Sequence, residues 1–445
     1  MVMKLNRGRP VKDAASAVHR VENLDIQKVT PDSLTELLGI PTMRVTHFAI
    51  ESEGEEQSLH MFCGHVHNVA VCPGCSQPSQ EGYDHQERCV RHLDIWGMRT
   101  LIHFSQRRFE CEVCGKPFSE RLSWIAPKRR QTEAFEEHVY QRVLVTPRKH
   151  VALGEGLSES TVLDIFKKRA KGHQEERESG YALGKQFVQV LGVDEISLRK
   201  GHKQYALVLS DIQRRCVIAV LPERTKEAFE QWISALSVQE RNAIKWVSMD
   251  MWKPYRQAVR KKLPKARIVA DRFHVMKQLN HQIDCLRRSM QRTANNEGDE
   301  PLMAALKGNC WILVKNRDEL NAEEEARLQL ILAASSELLK LYLLKEEFRL
   351  ICDKIRDRTR AVLFLRGWYL KALATGNPYL KKFVATLRSW WDEFLNYFEE
   401  RITQGFVEGV NRAIRGIINR AFGFRVFDHF RMQVLAECGT KEGSG

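Results

Sequence analysis

The sequence predicts a multidomain α+β protein, in which a mixed sheet flanked by helices is interrupted by an all-helical insertion and preceded by two small modules. Three observations predict it. Two CxxC knuckles, Cys72-Pro-Gly-Cys75 and Cys111-Glu-Val-Cys114, mark a zinc-ribbon-like module. From about residue 181 to 271, β-branched runs alternate with helix-like segments. From about His274 to Glu400, apolar residues recur at i, i+3 and i+4. At 445 residues the chain is too long for one core and should form several domains of roughly 100–200 residues.

Residues 1–58 combine a basic start, the helix-like PDSLTELLGI and an acidic run from Glu51 to Glu56, and read as an arm and linker. A Cys/His-rich module covers 59–124, where DIWGMRTLIHFSQRRFEC alternates polar and apolar residues like two short strands. Residues 125–180 turn helical. Within them VALGEGLSESTVLDIFKKRAK reads as a helix, a glycine turn and a second helix capped by Ser158 or Ser160. That is the helix-turn-helix pattern, although any helical hairpin resembles it.

In 181–284, QFVQVLGVDEIS, KQYALVLSDI and RRCVIAVLP suggest an antiparallel meander. The helix-like TKEAFEQWISAL, the strand IKWVSMD, a helix from Pro254 and the strand ARIVAD follow. Residues 285–400 form the helical insertion, and 401–438 return to the core as basic helices.

Seventy Lys and Arg against 56 Asp and Glu give a net charge of +14, which favours a polyanionic partner because neutralised phosphates release counterions. A basic enzyme without a nucleic-acid partner is the alternative. No apolar run approaches the roughly 18 residues of a membrane span, and the polar N-terminus lacks a signal core, so the expectation is a cytoplasmic protein. In a reducing compartment the eleven cysteines are thiols or metal ligands rather than disulfides.

The knuckle glycines and proline let backbone amides point at thiolates, as in a tetrahedral zinc site, so Cys72, Cys75, Cys111 and Cys114 are the expected ligands of a structural zinc. Their separation exceeds the common ribbon spacing and requires an inserted hairpin or loop. Cys63, His65, His67, Cys89 and His92 are alternative ligands or ordinary thiols and imidazoles. Arg107 and Arg108 beside the second knuckle, and Lys167, Lys168 and Arg169 ending the second helix, are candidate phosphate contacts.

Asp194 and Asp250 end apolar runs, where a buried strand delivers a side chain to its carboxyl edge. Glu408 lies in a helix-like, arginine-rich stretch. Phosphoryl transfer on DNA uses two divalent ions, and magnesium takes hard oxygen ligands from separate elements. An RNase H-like fold supplies them from the first strand of a meander, the fourth strand and a later helix. Glu195 should face the opposite side of its strand, since side chains alternate. Asp211 reads as a hairpin-turn residue. Asp271 either adjoins the metal or begins the next helix. Arg412, Arg415, Arg420 and Arg425 are either a solvated face or a DNA contact. Trp252 and Trp311 can stack on unpaired bases, with burial the more ordinary role.

The chain resembles the DDE transposases of bacterial insertion sequences, in particular the ISL-three family. The resemblance runs through RRFECEVCGKPFSER, VLGVDEIS, MDMWKPYR, ADRFHVMK, LKLYLLKEEFRLI and GFVEGVNRAIRGIINRAFGFRVFDHFR, and so covers most of the chain. It implies that Asp194, Asp250 and Glu408 are a catalytic triad holding two magnesium or manganese ions. It also implies an all-helical insertion between the second and third members. Asp271-Arg-Phe-His274 looks like a signature of several transposase groups, with Asp271 and His274 supporting the site rather than ligating metal. The expected partners are terminal inverted repeats and target DNA, bound by a homodimer or larger assembly on the nucleoid. A transposase-derived regulator without catalysis, or a structure-specific nuclease of the same fold, are the alternatives.

Overall fold

The computed structural model describes residues 31–439 apart from 55, 81, 185–186, 200–203 and 403–404. The basic start of the arm and the GSG tail lie outside the described residues. The chain divides into two compact units, Met1–Arg142 and Val143–Gly445.

The first unit is built on a five-stranded sheet of order β1-β2-β6-β5, with β7 on β6. Its strands are β1 (Met43–Glu53), β2 (Glu56–His65), β5 (Gly82–Arg91), β6 (Arg99–Glu110) and β7 (Pro117–Ser119). Helix α1 (Pro31–Leu38) inserts Leu34 and Leu38 among Met43, Val45, Leu59, Met61, Val90, Ile102 and Phe104. The segment expected to be a linker is thus partly sheet. The acidic run forms the tip of the β1–β2 hairpin, where Gly54 takes φ +63°. Its alternation carried no apolar signal because β1 is exposed along most of its length. The expected pair of short strands is instead the single long strand β6, entered by a turn at Trp96 and Gly97, both with positive φ.

A small hairpin, β3 (Ala70–Val71) with β4 (Pro78–Ser79), carries the first knuckle, and the β6–β7 turn carries the second. The β5–β6 hairpin is the insertion their spacing required. Helix α2 (Glu133–Val145) runs from the first unit into the second.

The second unit begins with α3 (Arg148–Glu155) and α4 (Glu159–Gly184). Gly156 ends α3 at φ 62°, the left-handed conformation that glycine adopts without a Cβ penalty. Ser158 Oγ accepts the Thr161 amide at 3.1 Å, which starts α4.

The core sheet has the order β10-β9-β8-β11-β12. The strands β8 (Val190–Arg199), β9 (Gln204–Asp211) and β10 (Cys216–Leu221) form the expected meander. β11 (Trp246–Met249) and β12 (Arg267–Ala270) add in parallel beside β8. Parallel strands need crossovers, supplied by α5 (Lys226–Ala235), α6 (Val238–Ala243) and α7 (Lys253–Lys262).

Side-chain alternation divides β8 between two cores. Leu191 and Val193 pack with Phe229, Ile233, Tyr255 and Val259 of α5 and α7. Ile196, with Val208 and Val217, packs against Val410, Ile414, Phe430 and Val434 of α17 (Gly405–Arg420) and α18 (Phe427–Cys438). Gly192 permits the approach of α17, because a Cβ there would lie 3.0 Å from Val407 Cγ2 and from Ile212 Cγ1.

Between β12 and α17 lie helices α8 (Arg272–Glu297), α9 (Glu300–Leu306), α10 (Cys310–Val314), α11 (Ala322–Ala333), α12 (Ser336–Lys354), α13 (Arg358–Ala374), α14 (Pro378–Ser389), α15 (Trp391–Leu395) and α16 (Tyr397–Glu400). Their shared core centres on Phe348, Trp368, Phe383 and Phe394. Asn396 ties them to the sheet edge by donating to the Ile268 carbonyl at 2.8 Å.

Candidate active site and DNA-binding modules

Two carboxylates reach the same edge of the core sheet by strand register. Val193 of β8 is paired with Met249 of β11 in parallel, so Asp194 and Asp250 occupy the next position on adjacent strands. Asp194 Oδ1 accepts the Glu195 amide at 2.7 Å, and its Oδ2 accepts from Asn411 Nδ2 of α17 at 2.5 Å. Burial, and then the neighbouring negative charge of Asp250, push Asp194 up to about 6.

His274 Nδ1 lies 2.6 Å from Asp250 Oδ1 and 2.9 Å from Asp271 Oδ2. Burial opposes its charge, but the carboxylates of Asp250 and Asp271 outweigh that and push the imidazole up to about 10. Asp271 is buried and caps α8 by accepting the His274 amide, so it does begin the next helix. One oxygen or nitrogen from each of Asp250, Asp271 and His274 lies within 4.8 Å of the others. Among the described residues, Asp194 and Glu408 stand outside that group of three.

Glu408 sits in the first turn of α17, 57% exposed, with Oε1 3.8 Å from Arg412. It is three residues before Asn411 and therefore on the same flank of the helix. Arg412 and Arg415 are exposed farther along.

Glu195 takes the opposite face of β8 from Asp194, as alternation requires, and with Arg224 it lines the cleft that also holds Asp250 and His274. It accepts from Arg224 Nη1 at 2.8 Å and from the Tyr255 hydroxyl at 3.2 Å. Asp211 ends β9 and accepts the amides of Gln213 and Arg214, the hairpin-turn role expected of it. Trp252 is half-buried and meets Tyr255 edge-on, ring centres 4.2 Å apart. Trp311 departs from the more ordinary expectation of burial, with 80% of its surface exposed. The five-residue α10 buries Ile312 and Leu313, and so short a helix leaves another face outside the core.

In the first unit the four knuckle cysteines converge, every sulfur within 4.8 Å of the others. The amides of Gly74 and Cys114 donate to Cys72 Sγ and Cys111 Sγ at 3.4 and 3.3 Å. Backbone donation by Gly74 and Cys75 lowers the Cys72 thiol to about 7. The other Cys and His candidates have separate roles. Burial pushes Cys63 up to about 12, His65 contacts the Ser105 carbonyl, and Cys89 Sγ lies 3.7 Å from His103.

Arg107 is engaged by Glu120 through Nη2 at 2.8 Å and by the His67 carbonyl, so its guanidinium braces the module. Arg108 lies 3.9 Å from Asp84. Lys167 is exposed on α4, while Lys168 and Arg169 are half-buried. The residues missed from sequence are Asn411, which aligns with Asp194 only through tertiary packing, and Lys345, fully buried on α12. For Asn411 the available signal was its position one turn beyond Glu408.

A cysteine ribbon, a helix-turn-helix and carboxylates gathered on an α+β core are the parts of a protein that handles DNA, and the class they belong to is the transposases. The family comparisons agree module by module. A model described as a transposase of the ISL3 type matches residues 191–434, more than half of the chain. The zinc-finger of transposase IS204/IS1001/IS1096/IS1165 matches 68–114, and the helix-turn-helix domain of transposase family ISL3 matches 120–170. The chain belongs to the ISL3 family of transposases. It is 28% identical, over 86% of its length and 92% of the relative's, to the transposase for insertion sequence element IS1001 of Bordetella parapertussis. It is 24% identical, over 75% and 78%, to the transposase for insertion sequence element IS1557 of Mycobacterium tuberculosis. No helix among the described residues is long and apolar enough to cross a membrane.

Proposed function

We propose that the chain binds the terminal inverted repeats of its insertion sequence and carries out metal-dependent cleavage and strand transfer at Asp194, Asp250 and Glu408. The observation that carries this reading is the register of β8 and β11, which sets Asp194 beside Asp250 on adjacent parallel strands. An antiparallel meander followed by two parallel strands, with acids on the first and fourth, supports an RNase H-like core interrupted by a helical insertion. We include Glu408 in this reading because Val407 and Asn411, on either side of it, pack α17 against β8.

The donor set fits magnesium or manganese: hard carboxylate oxygens whose mutual repulsion a cation relieves. Asp194, Asp250 and Glu408 would hold two ions, which when bound activate a hydroxyl nucleophile and stabilise the leaving oxygen of in-line transfer. The chain's own residues orient this set. Asn411 and the Glu195 amide fix the two oxygens of Asp194. His274 contacts both Asp250 and the buried Asp271 through Nδ1, which ties the Asp250 carboxylate to the start of α8.

Cys72, Cys75, Cys111 and Cys114 fit one structural zinc that holds a module too small for a large core. Arg108, Lys167, Lys168 and Arg169 read as phosphate contacts of the terminal repeat, and Arg412 and Arg415 as contacts beside the cut. Our domain assignment keeps the order of zinc module, helix-turn-helix, core, helical insertion and returning helices. It does not keep the expected boundaries at 58, 180 and 284, which fall inside β2, α4 and α8. We take the chain to be cytoplasmic and a dimer or larger on DNA. Incubating the purified chain with its own element ends and magnesium should give both cut and joined products. Cutting without joining would mark a nuclease, and binding without cutting a regulator.

A further inference from the structure

Arg224 stands beside the carboxylates in an orientation its neighbours fix from three sides. It precedes Thr225, whose Oγ1 accepts the Ala228 amide at 3.1 Å and starts α5, so its backbone is anchored at a helix end. Its Nη1 donates to Glu195 Oε2 at 2.8 Å, and its guanidinium carbon lies 4.0 Å from the ring centre of Tyr205. Glu195 is held in turn by the Tyr255 hydroxyl, which donates to its other oxygen at 3.2 Å. Tyr205 joins this group by register, because it pairs with Ser197, two residues along β8 on the face of Glu195.

Folding stability does not account for the arrangement. The Arg224 side chain is 48% exposed, and an exposed ion pair contributes little. Among the described residues only its Nη1 is hydrogen-bonded, which leaves Nε and Nη2 as donors for a further acceptor. Arg224 shares one cleft of about 870 Å³ with Asp250 and His274. The other arginines of that cleft, Arg272 and Arg349, are bound to Asp353 and Glu346 of the helical insertion. Asp194 and Glu195 are consecutive on β8. One strand end therefore carries a proposed metal ligand on one face and, on the other, the carboxylate that aims Arg224.

We propose that Arg224 binds a phosphate of the DNA strand in this cleft, beside the phosphate cut at Asp194 and Asp250. The inference rests on the transposase reading above. A planar guanidinium forks onto two phosphate oxygens, and one already oriented loses little freedom on doing so. The contact positions the strand and selects no base.

The test measures binding of the full-length chain, in calcium, to the terminal duplex of its own element. Phosphates around the cleavage site are replaced one at a time by neutral methylphosphonates. In wild type one such position should weaken binding by about tenfold, the usual worth of a hydrogen bond to a charged group. Arg224→Ala should bind the native duplex about tenfold less tightly and be indifferent to the methylphosphonate at that position. Arg224→Lys, which keeps the charge and loses the fork, should fall between. A double variant, Glu195→Gln with Arg224→Gln, leaves no unpaired carboxylate and should stay as weak as Arg224→Ala. Tight binding regained there would make Arg224 a mere neutraliser of Glu195 and overturn the proposal. It is also overturned if no position matters in wild type, or if the losses from Arg224→Ala and from methylphosphonate multiply at every position. An Arg224-dependent position in a wild type that cannot cleave in magnesium would sink the catalytic reading alone; normal cleavage with no such position would sink only the phosphate contact.

Discussion

Asn411 donates its side-chain amide to Asp194 at 2.5 Å, joining residues 217 positions apart. The bond closes α17 onto β8 and, with the Glu195 amide on the other oxygen, fixes the orientation of the Asp194 carboxylate. It also favours the charged form of a carboxyl that burial and Asp250 disfavour. Asn411→Ala removes a hydrogen bond to a charged group, commonly worth about 1.5–3 kcal/mol. The expected result is cleavage slowed by about tenfold or more, with little change in end binding. Rates measured under single turnover with magnesium check this, and an unchanged rate would remove Asn411 from the site.

Asp250→Asn keeps the shape of the side chain and removes its charge. Binding to terminal repeats should persist, while magnesium-dependent cleavage falls by at least about a thousandfold, as expected when a charged metal ligand is lost. Full activity in that variant would falsify the assignment of Asp250.

Asp194 and Asp250 were legible because each ends a short β-branched run, a pattern that identifies a buried strand from local sequence alone. Their adjacency was not legible. It depends on parallel pairing of β8 with β11, which brings together residues separated by a meander and two helices. Trp311 misled for the opposite reason. CWILV is uniformly apolar and reads as buried, yet a five-residue helix cannot turn every face inward. The β1–β2 hairpin went unread because β1 is exposed along most of its length and lacks the alternating apolar face that reveals a strand. The knuckles were legible in full, since four thiols at two tight turns constrain the fold more than any surrounding residue does.

Cys111→Ser removes one of four converging sulfurs. Zinc content by atomic absorption should drop, and end binding should weaken because the ribbon no longer holds its shape. Unchanged zinc in the purified variant would count against the site.

His92 sets an acid limit on the first unit. It is buried, its Nδ1 lies 2.9 Å from Thr132 Oγ1, and burial followed by the charge of Arg91 lowers it from 6.5 to about 4. Between those values the unfolded chain binds the proton and the folded chain does not. Stability from His92 is therefore complete above pH 6.5 and lost as pH falls toward 4, on the order of 3 kcal/mol in all. His92→Gln should flatten that slope. Urea midpoints of the zinc-loaded full chain at pH 7 and pH 5 measure it, and parallel shifts in wild type and variant would exclude His92 as the cause.

Glu408 is the member of the proposed triad with the least local support, since it is exposed and pairs with Arg412 at 3.8 Å. An exposed i,i+4 pair is worth a few tenths of a kcal/mol at most, about 0.3–0.5 in typical helices. Glu408→Gln should therefore leave thermal stability within about 0.5 kcal/mol of wild type. If Glu408 completes the carboxylate set, the same substitution should reduce cleavage about as severely as Asp250→Asn, with end binding retained. Arg412→Ala separates the two roles: it breaks the pair without removing the carboxylate, so cleavage at saturating DNA should survive it. Equal losses in Glu408→Gln and Arg412→Ala would make Glu408 the partner of a DNA-binding arginine, and the third acid would have to be sought elsewhere on the same edge.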